Sequence, residues 1–266
     1  MSVLGRKEMQ FLRKAGMPDG FRESRLEGGA NNQVYRIDAG GSAYLLKVYF
    51  QHPDDRRNRL NAEFSFCACA WNNGAHWTPK PLMADAESNC GLYEFISGRA
   101  LDSSEITWPR VEESLTFFKE MNGFREKPDA QQLPIASEAC FSLSEHLACV
   151  GKRVDRLNSI NGHSDVERRA LKFVQEELSP AWQKIRENVV ADAQAHKIGM
   201  DDRINHDNRC LSPSDFGFHN AILTPQDRLR FIDFEYAGWD DPAKTICDFF
   251  CQPRLRVPRA FYPDFA

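Results

Sequence analysis

An aspartate, an asparagine five positions later and a second aspartate after a short apolar run form the most constraining feature of this chain. Asp215 and Asn220 are the first and last residues of the segment Asp-Phe-Gly-Phe-His-Asn, and Asp233 follows Phe231-Ile232. Transfer of a phosphoryl group needs a carboxylate that orients the attacking hydroxyl, and further oxygens that hold Mg²⁺ between phosphates. An Asp and an Asn at this spacing can share one tight loop. An Asp at the end of a neighbouring strand can then complete the metal site.

The composition is that of a globular protein and disfavours several other classes. With 266 residues, of which 42% are hydrophobic and 27% charged, the chain is long enough for one large domain or two small lobes. A net charge of −4 argues against nucleic acid as a partner, because phosphate-backbone binders carry a basic excess. No apolar run approaches the roughly 18 to 20 residues that span a bilayer. The N-terminus lacks the apolar region of a signal peptide, so we expect a cytoplasmic protein without a membrane partner.

The eight cysteines predict neither disulfides nor a metal site. No Cys-x-x-Cys pair occurs among them. His206 and Cys210 are four apart and could supply half of a metal site, but no matching second half is visible. We therefore expect reduced cysteines that pack as small hydrophobic residues.

The first 98 residues predict an antiparallel sheet with one helix. Val34–Asp38 alternates apolar and polar residues, Gly40-Gly41 supplies a turn, and Ala43–Phe50 is a second apolar run, which together predict a hairpin. Apolar residues at helical spacing predict a helix over Asp54–Trp71. Gly91–Ile96 is expected to form another strand.

Beyond Gly98 the pattern changes to long helices. Helices are expected over Pro109–Gly123, Leu143–Leu157 and Asp165–Ala195. The third of these should break or kink near Ser179-Pro180, because proline interrupts a helix. Short strands are expected around Leu211–Leu223 and Leu229–Phe234. The change at Gly98 predicts two lobes, residues 1–98 and 99–266.

Two motifs in the last third resemble the aminoglycoside and choline phosphotransferase family, which shares the protein-kinase-like fold. They are D-x-x-x-x-N-x-x-L from Asp215 and I-D-F-E-Y-A-G-W-D-D-P over 232–242, with Asp248 a few positions on. The resemblance implies an α+β fold of two lobes, an N-terminal antiparallel sheet with one helix and a larger, mainly helical C-terminal lobe. It also implies that Asp215 is the catalytic base, that Asn220 and Asp233 bind Mg²⁺, and that Asp248 supports the catalytic loop.

The first third of the chain follows the order of a kinase nucleotide site. A Gly-rich segment precedes the hairpin, as a phosphate-covering loop would, although taken alone a Gly-Gly pair before a strand is usually a turn. The resemblance implies that Lys47 contacts the α- and β-phosphates of ATP and that Glu63 is its ion-pair partner. The segment that joins the lobes would bind adenine through its backbone. The candidate nucleotide-binding residues are Gly28, Gly29, Asn31, Asn32, Lys47, Glu63, Glu94 and Ile96.

Two departures from the family pattern leave alternatives open. Pro213 stands where the family has His, and the chain ends soon after Asp248, where the family commonly continues with further helices. We expect an ATP- and Mg²⁺-dependent transfer of the γ-phosphate to a hydroxyl of a small molecule (a sugar, amino sugar or amino alcohol). The alternative is a non-catalytic, pseudokinase-like scaffold that binds nucleotide. A protein kinase is disfavoured, because Phe-Glu rather than Phe-Gly follows Asp233; His219 stays open as a structural or substrate-adjacent residue.

Overall fold

The structure is a computed structural model that describes residues 3–27 and 32–265. The chain divides into two compact units, one of Met1–Ser137 with Cys210–Ala266 and one of Glu138–Arg209. The predicted boundary at residue 98 stays a prediction. The helices are α1 (Arg6–Lys14), α2 (Arg59–Asn72), α3 (Trp108–Asn122), α4 (Pro128–Gln131), α5 (Leu143–Asn158), α6 (Asp165–Phe173), α7 (Ser179–Ala195), α8 (Pro242–Cys251) and α9 (Tyr262–Phe265). The strands are β1 (Arg22–Leu26), β2 (Gln33–Ala39), β3 (Ser42–Val48), β4 (Pro81–Asp85), β5 (Cys90–Glu94), β6 (Cys210–Ser212), β7 (Ala221–Leu223), β8 (Leu229–Phe231) and β9 (Gly238–Asp240).

Five strands of the first unit form an antiparallel sheet in the order β1-β2-β3-β5-β4. The predicted hairpin is confirmed as β2 and β3, which pair from Gln33↔Val48 to Ala39↔Ser42. Gly40 and Gly41 turn the chain with φ of +59° and +79°, a conformation that favours glycine. The pattern did not predict β1, because Arg-Glu-Ser-Arg-Leu is mostly polar.

The two faces of this sheet pack against different helices. On one face, Phe11 and Leu12 of α1 form a buried cluster with Ile37, Leu46 and Leu92 of the sheet. Successive side chains of a strand point to opposite faces. Lys47 therefore lies on the face opposite to its neighbour Leu46, and this is the face that α2 covers.

Helix α2 begins at Arg59, so the predicted start at Asp54 is wrong. The side chain of Asn58 accepts a hydrogen bond from the Asn61 amide at 3.0 Å and caps the first turn. The carboxylate of Asp55 instead accepts hydrogen bonds from Arg57 and Arg59. The proline and acidic residues before the helix thus form a turn held by arginines rather than a first helical turn.

An aromatic cluster fills the core around the last strands of the first unit. The ring of Phe117 on α3 stacks on Phe231 at the end of β8, with centroids 4.5 Å apart. Phe216, which directly follows Asp215, packs against Phe249 of α8 at 4.7 Å. These rings anchor the loop between β6 and β7 in the core, next to the exposed Asp215.

The second unit is helical and contains α5, α6 and α7. Helix α6 ends at Phe173, a π-helical turn spans Val174–Leu178, and α7 begins at Ser179. The predicted interruption near Ser179-Pro180 is therefore confirmed, and Pro180 occupies the first turn of α7, where proline is tolerated. Across the described part of the chain, no helix is long and apolar enough to cross a membrane.

Candidate active site

Lys47 joins a strand, a helix and the segment after β8 in one cluster of charges. Its Nζ donates a hydrogen bond to Glu63 Oε2 on α2 at 2.6 Å and another to Asp233 Oδ1 at 2.5 Å. Lys47 and Glu63 are buried, whereas the Asp233 side chain is partly exposed. Burial alone would lower the pKa of Lys47, but the charges of Glu63 and Asp233 outweigh it and raise that pKa. The lysine therefore stays charged at the inner wall of the site, and the predicted pair with Glu63 is present.

Tyr49 hydrogen-bonds to Glu63, and Tyr93 contacts Tyr49 in turn. Tyr49 donates its hydroxyl hydrogen to Glu63 Oε2 at 2.8 Å and lies 2.7 Å from the hydroxyl of Tyr93. Burial raises the pKa of Tyr49 well above its usual value, so the hydroxyl keeps its hydrogen. The sequence does not indicate a role for either residue, because a tyrosine in an apolar run normally indicates packing alone.

A β-hairpin brings Asn220 and Asp233 together. Asn220 directly precedes β7, Asp233 lies two residues after β8, and the two strands pair with each other. The Ile232 amide extends this pairing by donating to the Asn220 carbonyl at 2.9 Å. Together with Asp215, both residues line one small cavity. Asp233 has a φ of +68°, the kind of backbone strain that proteins retain at functional sites.

The loop that carries Asp215 makes an unusual turn and is supported from α8. Ser214 and Asp215 both adopt left-handed backbone conformations, with φ of +51° and +39°. Each costs roughly 1–2 kcal/mol in a residue other than glycine. Ser212 Oγ accepts a hydrogen bond from the Ser214 amide at 3.0 Å and another from Thr245 Oγ1 at 2.9 Å. Because Ser212, Ser214 and Thr245 are all buried, this chain of hydrogen bonds fixes the turn to α8.

On α8, Thr245 hydrogen-bonds to Ser212 at the base of the loop, and Asp248 pairs with Lys244. Asp248 lies one turn further along α8, where its carboxylate accepts a hydrogen bond from Lys244 at 2.7 Å. Lys244 also pairs with the buried Asp240 of β9 at 3.2 Å. The predicted support of the catalytic loop by Asp248 stays a prediction, whereas the hydroxyl of Thr245 and the ring of Phe249 on α8 both contact the loop.

The Asp215 carboxylate faces outward and accepts hydrogen bonds from side chains beside it. Its side chain is 47% exposed. Oδ2 lies 3.3 Å from His219 Nε2 and 3.4 Å from Asn220 Nδ2, and Oδ1 accepts from Gln252 Nε2 at 3.3 Å. The hydrogen bond from His219, with those from Asn220 and Gln252, outweighs partial burial and lowers the pKa of Asp215. The result is an ionised, accessible hydrogen-bond acceptor.

The donor set of Asn220 and Asp233 fits Mg²⁺. Asn220 Nδ2 donates to the backbone carbonyl of Asp215 at 3.1 Å. Since a carbonyl can only accept, the amide nitrogen must face it and the amide oxygen of Asn220 points elsewhere. Mg²⁺ prefers oxygen ligands and usually takes one or two from the protein, with phosphate oxygens and water completing its shell.

A second cluster ties Asn32 to the segment after Asp233. Buried Glu235 accepts hydrogen bonds from Arg59 Nη1 at 2.9 Å and from Asn32 Nδ2 at 2.5 Å. Asn32 Oδ1 in turn accepts from the Phe50 amide at 2.9 Å. Both polar atoms of the Asn32 side chain are thus engaged within the protein, and its predicted contact with nucleotide stays a prediction.

The other predicted nucleotide contacts are untested. Glu94 ends β5, and its carboxylate accepts hydrogen bonds from Arg230 Nη2 at 2.8 Å and from the Lys80 amide at 3.2 Å. Ile96 is buried just beyond that strand. The adenine contacts proposed for both remain predictions. Gly28, Gly29 and Asn31 lie outside the described residues.

Known structures share this fold at low sequence identity. The choline kinase from Cryptosporidium parvum Iowa II matches with a TM-score of 0.59 and 14% identity, over 97% of this chain and 74% of that one. The choline kinase LicA from Streptococcus pneumoniae matches with a TM-score of 0.60 and 18% identity, over 98% and 81%. The gentamicin complex of APH(2")-IIa matches with a TM-score of 0.62 and 17% identity, over 98% and 80%. The predicted α+β, protein-kinase-like fold is confirmed.

The sequence itself matches a family model over most of its length. A search of curated proteins found no match. The model of the phosphotransferase enzyme family, APH, matches residues 23–249. That range contains Lys47, Glu63, Asp215, Asn220 and Asp233, whereas Gln252, which contacts Asp215, lies beyond it. This chain therefore belongs to the APH phosphotransferase enzyme family.

Proposed function

We propose that this protein transfers the γ-phosphate of ATP to a hydroxyl group of a small molecule and requires Mg²⁺. Membership of a phosphotransferase family supports the general reaction. The observation that carries the specific proposal is the convergence of Lys47, Glu63 and Asp233 beside the cavity lined by Asp215 and Asn220. One cation, two candidate metal ligands and one outward-facing carboxylate are the groups that phosphoryl transfer from ATP needs.

Lys47 and the hairpin would form the nucleotide side of the site. The ammonium of Lys47 would contact the phosphate oxygens of ATP, while Glu63 keeps it oriented. The amide oxygen of Asn220 and the carboxylate of Asp233 would hold Mg²⁺. Mg²⁺ held there would neutralise the negative charge that develops on the phosphates during transfer.

Asp215 would orient the acceptor. Its exposed carboxylate can accept the hydrogen of a substrate hydroxyl and align the hydroxyl oxygen with the γ-phosphorus. A lowered pKa makes Asp215 a weak base. That is sufficient, because in a loose transition state the bond to the leaving oxygen is largely broken before the acceptor must give up its proton. Positioning, rather than early deprotonation, is therefore the proposed role.

We further propose an acceptor that carries an amine beside its hydroxyl, or a sugar. Choline and ethanolamine kinases and aminoglycoside phosphotransferases are among the proteins of known structure with this fold. Their names cover amino alcohols and amino sugars, which makes these two classes the first to test.

The test measures MgATP turnover with a panel of choline, ethanolamine, glucosamine and gentamicin. We expect transfer to at least one class, and a loss of roughly 10²–10⁴-fold in Asp215→Ala. The control is Asp54→Ala, since the Asp54 side chain is 93% exposed. Activity that survives in Asp215→Ala would contradict the proposed role of that residue.

Nucleotide binding is tested separately by thermal shift. MgATP should stabilise the wild type and Asp215→Ala alike, because orienting the acceptor and binding nucleotide are different tasks. EDTA should reduce the ATP-induced shift of the wild type and have no further effect on Asp233→Ala. Stabilisation without transfer to any acceptor would instead support the pseudokinase-like alternative, which Pro213 motivates.

A further inference from the structure

Both oxygens of the Asp215 carboxylate contact side chains to which the proposed reaction gives no role. His219 Nε2 lies 3.3 Å from Oδ2, and Gln252 Nε2 lies 3.3 Å from Oδ1. The two nitrogens are themselves 3.3 Å apart. Gln252 Nε2 can only donate, so its contact with His219 Nε2 is a hydrogen bond when that ring nitrogen carries no hydrogen. When Nε2 carries the hydrogen, both nitrogens donate to the carboxylate instead, one to each oxygen.

Nε2 is the nitrogen through which His219 can donate a hydrogen bond to Asp215. The imidazole is 10% exposed, and within residues 3–27 and 32–265 its Nδ1 is buried without a hydrogen-bond partner. A hydrogen on Nε2 is the one that finds an acceptor here, so this tautomer suits the site. Gly217 makes room for the arrangement, because a Cβ there would lie 3.0 Å from His219 Nδ1 and 3.2 Å from Gln252 Cγ.

Gln252 is oriented by the backbone that follows it. It directly follows α8, the helix whose Thr245 supports the Asp215 loop. Its Oε1 accepts a hydrogen bond from the Arg254 amide at 3.3 Å. An amide N–H must meet the oxygen of the side chain, which leaves Nε2 of Gln252 to face Asp215.

We propose that His219 and Gln252 are positioning residues that fix the orientation of the Asp215 carboxylate for phosphoryl transfer. Each donates to a different oxygen, so rotation of the carboxylate would break one hydrogen bond or the other. The carboxylate stays 47% exposed beside these contacts. This inference rests on the proposed function. Both positioning residues follow Asp215 in the sequence, whereas Pro213, at the position where the family has His, precedes it.

Kinetics separate positioning from simple packing. His219→Leu removes the donor, whereas His219→Gln keeps an N–H group at about the place of Nε2. We expect kcat to fall about 10-fold or more in His219→Leu and Gln252→Leu, with the KM for ATP nearly unchanged, because misoriented reacting groups slow the chemical step. His219→Gln should recover most of the loss, and Gln132→Leu, at an exposed position, is the matched control. Equal losses in His219→Leu and His219→Gln would overturn the proposal.

A spectroscopic measurement tests the contact when turnover is absent. The ¹⁵N signals of the His219 ring, assigned by their loss in His219→Gln, should show hydrogen on Nε2 in the wild type and should shift in Asp215→Ala. Hydrogen on Nδ1, or signals that Asp215→Ala leaves unchanged, would refute the proposed hydrogen bond from His219 to Asp215, whether or not the protein is active. Absence of any MgATP turnover together with the expected ¹⁵N signals would refute the proposed function and leave the contact established.

Discussion

Arg59 and Glu235 form a buried ion pair of 2.9 Å between Nη1 and Oε1, although they lie 176 residues apart. Arg59 stands one helical turn before Glu63 on α2, and Glu235 lies two residues after Asp233. The pair therefore fastens the helix that carries one carboxylate to the segment that carries the other. Both carboxylates reach Lys47 as a result.

Breaking this pair should destabilise the protein strongly. In Glu235→Ala the guanidinium of Arg59, only 2% exposed, keeps Asp55 but loses its most deeply buried counter-charge, and the buried Asn32 loses its acceptor. We expect the free energy of unfolding in urea to fall by about 3–5 kcal/mol. The exposed pair of Arg36 with Asp38 provides the control, since Asp38→Ala should cost less than about 1 kcal/mol. Similar costs for the two variants would contradict the energetic importance of the buried pair.

Replacing Lys47 should weaken nucleotide binding. Lys47→Met removes the ammonium that Glu63 and Asp233 share and that we propose to contact phosphate. Loss of a hydrogen bond to a charged group should raise the MgATP dissociation constant roughly 10- to 100-fold. Calorimetry measures this constant. Lys80→Met, at an exposed position, should leave that constant unchanged. An unchanged affinity in Lys47→Met would exclude the phosphate contact.

Asp55 should make stability depend on pH in the acid range. Hydrogen bonds from Arg57, and then from Arg59, hold the pKa of Asp55 well below its usual value. A depressed pKa in the folded state contributes stability that is complete above the unfolded pKa of about 3.9 and is lost as pH falls towards the folded value. Unfolding in urea should therefore show Asp55→Asn about 1 kcal/mol less stable than wild type at pH 6. This difference should shrink below pH about 4, and a difference that grows there would show the opposite linkage.

The hydroxyl of Thr245 should stabilise the protein through its hydrogen bond and not only through packing. Thr245→Val keeps the shape of the side chain but removes the hydrogen bond to Ser212, which in turn supports the strained turn at Ser214. We expect a loss of about 1 kcal/mol in unfolding free energy. Thr116→Val, at an exposed site on α3, provides the comparison. Equal behaviour of the two variants would show that Thr245 acts through packing alone.

Sequence predicted the parts of the site whose signals are local or follow family order. Asn220 and Asp233 are recognisable because each stands at a fixed place in a short motif, and the strands between them pair locally. Lys47 and Glu63 were placed by their order, in a strand and in the helix after it. The hairpin of β2 and β3 followed from alternation and its Gly-Gly turn.

The missed parts depend on contacts between distant segments. An arginine in a first helical turn normally faces solvent, and nothing near Arg59 indicates a partner 176 residues away. Thr245 carries no local sign that it supports Ser212. Gln252 likewise follows a helix end, where a polar residue is common, and only the folded chain shows that it faces Asp215.

The hairpin of β7 and β8 makes the spacing of the two candidate metal ligands independent of chain length. Asn220 and Asp233 flank strands whose register places Ala221 opposite Phe231 and Leu223 opposite Leu229. Extra residues in the turn between these strands would lengthen a surface loop and leave both ends where they are, at a small entropic cost. One extra residue inside either strand would reverse which side chains face the core. Length variation in this part of the chain is therefore compatible with the site only at the tip of the hairpin.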